Sequence, residues 1–314
     1  MASDGIRDQV AIVGMGCTKF GEHWDRSIDD LLIDAVDECV ASVPGFERKQ
    51  VDAYWLGTMG SGTSGLTLSR PLKIDYKPVT RVENYCATGS EAFRNACYAV
   101  ASGAYDCVMA VGGEKLKDSG YSGLVVPPPI NDGTASEPTA PAMFSLLAPA
   151  YVKKYGISDE QPKEVMTRIA WKNHRNGALN ERAQFRSEVA KETIARSPIV
   201  GSLGIFDCCF TPTELVLMED LGFSERGQGW QDVLDGVFDL DGELPVNPDG
   251  GLKSFGHPIG ASGLRMLFEC WLQFRGEAGE RQLSDPQIGL THNLGGQPGA
   301  CVSFVSIVGA GRDG

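Results

Sequence analysis

Short apolar runs alternate with longer amphipathic stretches along the first third of the chain. The apolar runs have the length and residue types of buried β-strands; they are Gln9–Gly14, Asp52–Gly57, Thr80–Glu83 and Cys107–Gly112. The amphipathic stretches have helical spacing; they run from about Asp29 to Val43 and from Cys86 to about Ser102. Strands that alternate with helices predict an α/β layered core with a largely parallel sheet.

The pattern changes after Asp118. Gly, Pro and Ser are frequent from there to Pro141, which predicts a long loop. Helical spacing returns in four stretches, at Met143–Tyr155, Pro162–Asn176, Glu188–Arg196 and Pro212–Leu221. A further helix is predicted from Leu264 to about Phe274, followed by strands at Ile288–His292 and Ala300–Val308.

Cys86 lies at the junction between the Thr80–Glu83 strand and the helix that follows it. Thr88 and Glu91 have the spacing of a capping box, so we expect a helix to begin there, with its positive dipole end beside the sulfur. That environment favours the thiolate, as a nucleophilic cysteine needs. A cysteine is more often a plain core residue, so placement alone leaves both interpretations open.

His257 stands between Gly256 and Pro258, and a run of small residues to Gly263 leads into the next helix. A histidine at a buried helix start suits a hydrogen-bond donor aimed at a substrate oxygen. The alternative is a glycine-rich turn with a surface histidine. Cys86 and His257 each precede small residues and an amphipathic helix, which predicts two related half-domains that present both residues to one centre.

Composition narrows the function classes. The chain of 314 residues has nine cysteines, an odd number without framework spacing, so we expect a reducing, cytoplasmic location. The four histidines show no metal-ligand spacing, which argues against a metal site. A net charge of −13 argues against a nucleic-acid partner, and the absence of a long apolar run argues against a membrane partner. Because the chain is acidic overall, a site for an anionic ligand would need a local cluster of basic residues.

Two further motifs have competing interpretations. The run 60–65 matches the G-x-G-x-x-G spacing of dinucleotide sites, but Pro71 interrupts the stretch that should be a helix, so a loop is favoured. A basic cluster lies on and after the Pro162–Asn176 helix; its members are Lys172, His174, Arg175, Arg182 and Arg186. The cluster is either a solvated helix face or a cradle for phosphate groups. Glu214 is expected to be a surface charge.

Four motifs in order resemble the thiolase superfamily, most closely the sterol-carrier-protein-2 type and its archaeal-like relatives. They are Asn84–Ala92 around Cys86, Gly256–Gly263 around His257, Cys209–Leu215 and Thr291–Gly296. The resemblance covers about residues 8–117 and 209–309 well and the middle more loosely. Each motif alone would be weak, but four in family order are specific.

The resemblance implies the thiolase fold, with two βαβαβαββ halves in a five-layered αβαβα sandwich and central helices packed back to back. The chain then divides into an N-terminal half (1–117), a loop and substrate-binding region (118–204) and a C-terminal half (205–314). The family also implies a homodimer or a dimer of dimers, with a companion protein that carries an OB-fold and a zinc ribbon as a further partner.

The implied chemistry is acyl transfer with Claisen condensation, or its thiolytic reverse, on coenzyme A thioesters and without a tightly bound cofactor. Cys86 would carry the acyl group, His257 would activate that thiol and stabilise the enolate, and Cys209 would remove the α-proton. The remaining roles concern the oxyanion site and coenzyme A. Backbone N–H groups of Cys86 and Gly295, supported by Asn293 and His292, would bind the oxyanion, and Lys172, Arg175, Arg182 and Arg186 would hold phosphates.

The chain departs from the family pattern at residues 204–209. Asp207 stands where the sterol-carrier type has a histidine, and an aspartate there would repel a developing enolate. One strand of the first half and the opening β–α unit of the second have no counterpart in the sequence. A true deletion would leave sheet edges open and core surfaces uncovered, so we favour an unrecorded gap at this junction over a real deletion.

Three alternatives to a thiolase stay open at the level of sequence. A decarboxylating ketosynthase would use Cys86 with His257 and His292, although Pro258 and the second cysteine argue against it. A thiolase-like retro-aldolase is expected to lack the nucleophilic cysteine. A non-catalytic scaffold that binds acyl-CoA would explain the incomplete second half. Trapping an acyl group on Cys86 would separate an enzyme from a scaffold.

Overall fold

The computed structural model describes residues 5–119, 140–158, 160–197 and 211–311. Its contacts divide the chain into two units, one formed by Met1–Val125, His257–Gly296 and Cys301–Gly314 and the other by Val126–Gly256 and Gln297–Ala300. The strands are β1 (Ala53–Gly57), β2 (Val79–Val82), β3 (Val108–Gly112), β4 (Ile288–Gln297) and β5 (Ala300–Gly309). The helices are α1 (Ile28–Ala41), α2 (Leu66–Leu72), α3 (Thr88–Ala101), α4 (Ala140–Ser145), α5 (Leu147–Tyr155), α6 (Gln161–Ala178), α7 (Lys191–Ala195), α8 (Thr211–Asp220), α9 (Gly229–Asp235), α10 (Gly251–Phe255) and α11 (Ile259–Arg275).

The first unit contains a parallel sheet in the order β2-β1-β3. Trp55 of β1 pairs with Thr80 on one side and with Ala110 on the other. Alternate residues point to opposite faces. One face packs into a core beneath α1 and α2, formed by Leu32, Val36, Leu68 and Leu72 of the helices with Tyr54, Leu56, Met109 and Val111 of the strands. The sheet is therefore parallel, as the sequence predicts, with α1 and α2 on one face. The expectation that Pro71 prevents a helix is wrong, because α2 includes Pro71.

The other face of this sheet carries α3 and α11, which also pack against each other. Glycines allow the close approach: a Cβ on Gly112 would lie 2.0 Å from the carbonyl oxygen of Gly260, and one on Gly89 would lie 2.6 Å from the same atom. No side chain fits into that space. The starts of α3 and α11 consequently meet backbone to backbone, and the predicted back-to-back packing of two central helices is confirmed.

β4 and β5 form a separate two-stranded sheet, joined by a short turn as antiparallel neighbours are. Its inner face lies on α11, where a Cβ on Gly289 would come within 2.8 Å of Cys270 Sγ. Its outer face is open, with Ile288 72% and Ile307 70% exposed.

The Gln9–Gly14 segment is not a strand, so that prediction is wrong. The segment instead runs beside the end of α1. Gly14 approaches Ser42, and a Cβ on Gly16 would lie 2.3 Å from the carbonyl oxygen of Ala35. Contact with a helix replaces the expected ladder.

The second unit is helical in its described part. Its core joins α5, α6, α8 and α9 through Tyr151, Val165, Met166, Ile169, Leu215, Met218, Val233 and Phe238. The predicted Met143–Tyr155 helix is divided into α4 and α5, and Glu188–Arg196 is shorter as α7. Among the described residues of both units, no helix is long and apolar enough to span a membrane.

Candidate active site

Cys86 occupies the tight turn that connects β2 to α3. The turn is closed by the Ala87 amide, which donates to the Asn84 carbonyl at 3.1 Å, and by the Thr88 amide, which donates to the Tyr85 carbonyl at 2.9 Å. Tyr85 has a left-handed φ of +50°, which is uncommon for a residue with a large side chain. Cys86 itself is half-buried, and the next residues, from Ala87 to Ser90, are buried.

The helix begins at Thr88, as predicted, but the predicted capping box between Thr88 and Glu91 does not form. The residue that precedes the helix is Ala87, which makes no side-chain cap. The Thr88 hydroxyl bonds instead within the turn, and the Glu91 carboxylate pairs with Arg94 at 2.5 Å. The first turn of α3 therefore points its backbone N–H groups toward the Cys86 side without a side-chain cap.

His257 is oriented by a serine one turn into α11. Its Nδ1 lies 2.8 Å from Ser262 Oγ, and that hydroxyl lies 3.1 Å from the Pro258 carbonyl. The one hydroxyl proton of Ser262 serves either neighbour: when it goes to the carbonyl, Nδ1–H donates to Ser262 and Nε2 can accept a proton, and when it goes to Nδ1, Nε2 carries the proton. Part of the residue reaches the surface, but Nε2 is shut off from solvent and has no hydrogen-bond partner in the described part of the chain. Burial lowers the pKa of His257 to about 4.

The role of Ser262 was missed in the sequence, although the residue was present in the small-residue run after His257. A buried serine five residues after a histidine at a helix start was the available signal. The arrangement orients a neutral imidazole whose Nε2 can accept or donate a proton according to the tautomer.

We expect Ser262→Ala to lower kcat about tenfold to a hundredfold, because losing one buried hydrogen bond frees the imidazole to turn and to change tautomer. The measurement is kcat across a pH series, with Ser102→Ala as control because Ser102 bonds only at the exposed end of α3. An unchanged kcat in Ser262→Ala would contradict the orienting role.

β4 contributes the third part of the site. Asn293 is buried, and Ser90 Oγ of α3 donates to its Oδ1 at 2.9 Å. A Cβ on Gly295 would lie 2.6 Å from the Asn84 carbonyl oxygen and 3.1 Å from the Ala87 nitrogen. The Gly295 backbone thus lies directly against the Cys86 turn. His292 is on the opposite face of β4, where its Nε2 is 2.9 Å from Ser303 Oγ.

The first unit therefore brings together the Cys86 turn, the start of α11 after His257, and the Asn293–Gly295 segment. Gly89 and Gly260 contact each other, and each lies three residues after a candidate site residue: Gly89 after Cys86 and Gly260 after His257. Cys209 and Asp207 lie outside the described residues, as does the 204–209 junction.

Lys172 lies in the second unit and is not on a solvated face. It is 4% exposed and forms an ion pair with Glu214 at 2.5 Å. Asn173 and Asn247 donate to the other oxygen of that carboxylate at 3.1 and 2.8 Å. The expectation that Glu214 is a surface charge is therefore wrong, because a buried lysine on α6 requires a buried carboxylate as partner.

Basic side chains surround the Trp171 ring, and of the predicted cluster only Arg175 is among them. Trp171 has three cations over its indole, from Arg168 at 4.9 Å, Arg175 at 5.5 Å and Lys191 at 4.5 Å. Arg168 also pairs with Asp239. Arg175 and Arg186 are exposed, and Arg182 is half-buried. The Trp171 indole and its cations together provide positive charge beside a flat apolar surface.

Backbone N–H groups at the start of the glycine-rich run 60–65 are already bonded to a carboxylate. Backbone N–H groups of Met59, Gly60 and Ser61 donate to the buried Glu114 side chain at 2.7, 3.0 and 2.7 Å. A phosphate would need those same N–H groups, so the loop cannot bind a dinucleotide in this arrangement.

Comparison with known proteins gives matches over nearly the whole chain. Residues 10–197 match the model "Thiolase, N-terminal domain" and residues 191–308 match "Thiolase C-terminal domain-like". An acetyl-CoA acetyltransferase of Methanothermobacter thermautotrophicus is 30% identical over 96% of this chain and 99% of its own length. Human sterol carrier protein 2 is 28% identical over 91% of this chain and 70% of its own. The Ltp2–ChsH2(DUF35) aldolase structure has a TM-score of 0.76 at 21% identity, covering 96% of this chain and 98% of the other.

The alignment with the archaeal relative extends over 400 positions, more than the 314 residues of this chain. The relative therefore contains internal segments that have no counterpart here. The extra length of the relative agrees with the departure from the family pattern at residues 204–209. The matched family models and structures establish the thiolase fold.

Proposed function

The chain belongs to the thiolase family of acyltransferases, and from this premise we propose that it acts on acetyl-CoA and acetoacetyl-CoA by Claisen condensation or thiolysis through an acyl-cysteine. The observation that carries the proposal is the backbone contact between the starts of α3 and α11, which holds Cys86 and His257 at equivalent positions before two facing helices. The acetyltransferase name of the archaeal relative supports the choice of substrate.

In the first half-reaction, Nε2 of His257 accepts the thiol proton of Cys86, and the thiolate attacks the thioester carbonyl carbon. The backbone N–H groups of Cys86 and Gly295 stabilise the oxyanion. Collapse breaks the bond to the coenzyme A sulfur, which leaves with the proton held by His257. Burial disfavours the imidazolium, so His257 passes the proton on readily.

In the second half-reaction, Cys209 removes the α-proton of an incoming acetyl-CoA, a role that rests on the family resemblance of its motif. In its Nε2–H tautomer, His257 donates a hydrogen bond to the enolate oxygen. The α-carbon attacks the acyl group on Cys86, a C–C bond forms, the C–S bond breaks, and the Cys86 thiolate takes back the proton that Cys209 removed, which returns Cys209 to the thiolate. Thiolysis is the same sequence in reverse.

Coenzyme A phosphates would be bound by two cations near Trp171, the exposed Arg175 and the half-buried Lys191. Lys172 is unsuited to this role because Glu214 already neutralises it in a buried site. Arg175 and Lys191 lie over the indole with charge available, and the ring offers a surface for the adenine. Arg182 and Arg186 remain candidates for the same phosphates.

We expect the double variant Arg175→Gln/Lys191→Gln to raise the KM for acetyl-CoA about tenfold with kcat nearly unchanged, because charges that hold the phosphates contribute to binding and not to chemistry. Lys163→Gln on the exposed side of the same helix is the matched control. A fall in kcat with constant KM would contradict the assignment.

The test of the proposed function is incubation with acetyl-CoA, followed by peptide mass spectrometry and an assay of acetoacetyl-CoA thiolysis. The expected result is one acetyl group on Cys86 and measurable turnover. A label on another cysteine, or turnover without any label, would overturn the assignment. A protein that binds acetyl-CoA but is neither labelled nor active would be the non-catalytic scaffold.

The edge of β2 supports self-association. β2 pairs with β1 on one side, and in the described part of the chain its other edge is unpaired. An open edge can pair with a second copy, so we expect a homodimer or a dimer of dimers in light scattering at micromolar concentration. A monomer at that concentration would contradict this expectation.

A second candidate function has one specific observation in its favour. The structure with TM-score 0.76 is an aldolase in complex with a DUF35 protein, which fits a retro-aldolase with an OB-fold and zinc-ribbon companion. An aldolase reaction needs no acyl-enzyme, so acetylation of Cys86 distinguishes the two. Co-purification with a small zinc-containing protein would support the companion in either case.

A further inference from the structure

We propose that Thr88 is a positioning residue for Cys86, acting through its hydroxyl group. This inference rests on the proposed function, since it assumes that Cys86 is the nucleophile. The Thr88 side chain does not cap α3; it closes the turn that carries the sulfur.

The contacts of the hydroxyl define the role. Thr88 Oγ1 accepts a hydrogen bond from the Asn84 amide at 2.8 Å and donates one to the Tyr85 carbonyl at 2.6 Å. Thr88 is 0% exposed, so water cannot replace either bond. One side-chain oxygen therefore holds both ends of the peptide segment that precedes Cys86.

The held segment has an unfavourable backbone conformation. Tyr85 keeps its φ of +50° while its amide donates to Glu83 Oε1 at 2.6 Å. A residue with a large side chain leaves the left-handed region unless its surroundings fix it there. If the Thr88 hydroxyl is removed, Tyr85 can relax, and the peptide that bears the Cys86 N–H rotates with it. The thiol and the oxyanion donor would then both be displaced.

The methyl group of Thr88 has a different environment from the hydroxyl. It faces β1, where a Cβ on Gly57 would lie 3.3 Å from Thr88 Cγ2. Valine keeps this packing and loses the hydroxyl, whereas serine keeps the hydroxyl and loses the methyl. The two substitutions therefore separate positioning of the turn from packing of the helix.

The experiment compares Thr88→Val and Thr88→Ser by kcat and KM for acetyl-CoA and by the rate of iodoacetamide alkylation at Cys86, read by peptide mass spectrometry over a pH series. We expect Thr88→Val to lower kcat about tenfold to a hundredfold at nearly constant KM and to slow alkylation. Thr88→Ser should stay within about threefold of the parent protein on both measures. The reverse order, or equal losses in both variants, would overturn the proposal.

A double variant guards against a folding defect in Thr88→Val. Tyr85→Gly removes the penalty of a positive φ, so Tyr85→Gly/Thr88→Val should recover most of the alkylation rate; no recovery would overturn the proposal. If the parent protein is not acetylated at Cys86, the proposed function fails, but the alkylation rates still show whether Thr88 positions the thiol.

Discussion

Cys86→Ser should abolish acyl transfer, with kcat reduced by more than about 10⁴-fold and no acetyl group retained on the protein. Loss of the nucleophile from a working nucleophile–base pair has effects of this size. A serine hydroxyl is nearly isosteric with the thiol but far less acidic, and a neutral, buried His257 is too weak a base to ionise it. The fold should survive, which circular dichroism and thermal denaturation would verify.

The other cysteines make this experiment selective. Burial raises the pKa of Cys39, Cys97 and Cys270 to about 11, which leaves little thiolate at neutral pH. Cys301 is exposed on β5 and serves as the control, so Cys301→Ser should retain the parent activity. Acetylation that persists in Cys86→Ser would show that another thiol carries the acyl group.

His257→Ala should lower kcat about 10²–10³-fold, as the loss of one donor at an oxyanion site typically does, and the additional loss of a base can increase the effect. The KM for coenzyme A substrates should change much less. A large loss of binding with unchanged kcat would instead show that His257 only positions the substrate.

The pH dependence follows from the same burial. The pKa of His257 falls from 6.5 to about 4, so the imidazole stays neutral at pH 6, where an ordinary histidine would be mostly protonated. Acylation should therefore hold its rate down to about pH 5. Between about pH 6.5 and 4 the unfolded chain binds a proton that the folded chain does not, so the stability contributed by neutral His257 is lost as the pH falls through that window. In denaturant titrations, His257→Ala should reduce this acid sensitivity.

The strands β1 and β3 and the helices α3 and α11 could be predicted from the sequence because each combines a strong hydrophobic pattern with a clear boundary. Gln9–Gly14 has the same pattern as β1, yet it forms no ladder. A hydrophobic pattern gives the tendency of a segment to be extended but not the element it will contact, and here the neighbour is α1 rather than a strand.

The candidate site likewise contains features that the sequence could predict and features that it could not. Cys86 and His257 could be found because their residue types and the small residues after them are visible in the sequence. The hydrogen bonds of Ser262 and Thr88 could not, since a helix pattern does not tell which way a hydroxyl points. Lys172 illustrates the opposite error: a lysine in a basic run suggested a solvent-facing charge, and only the packing of α6 against α8 revealed its buried partner.

The contact between Gly89 and Gly260 joins residues 171 positions apart in the chain. During synthesis the Cys86 turn emerges long before the glycine that must lie against it, and contacts of such separation form late in folding. On the proposed function, a growing chain would carry the Cys86 thiol before the His257 base is in place, and the site would become complete only when α11 docks.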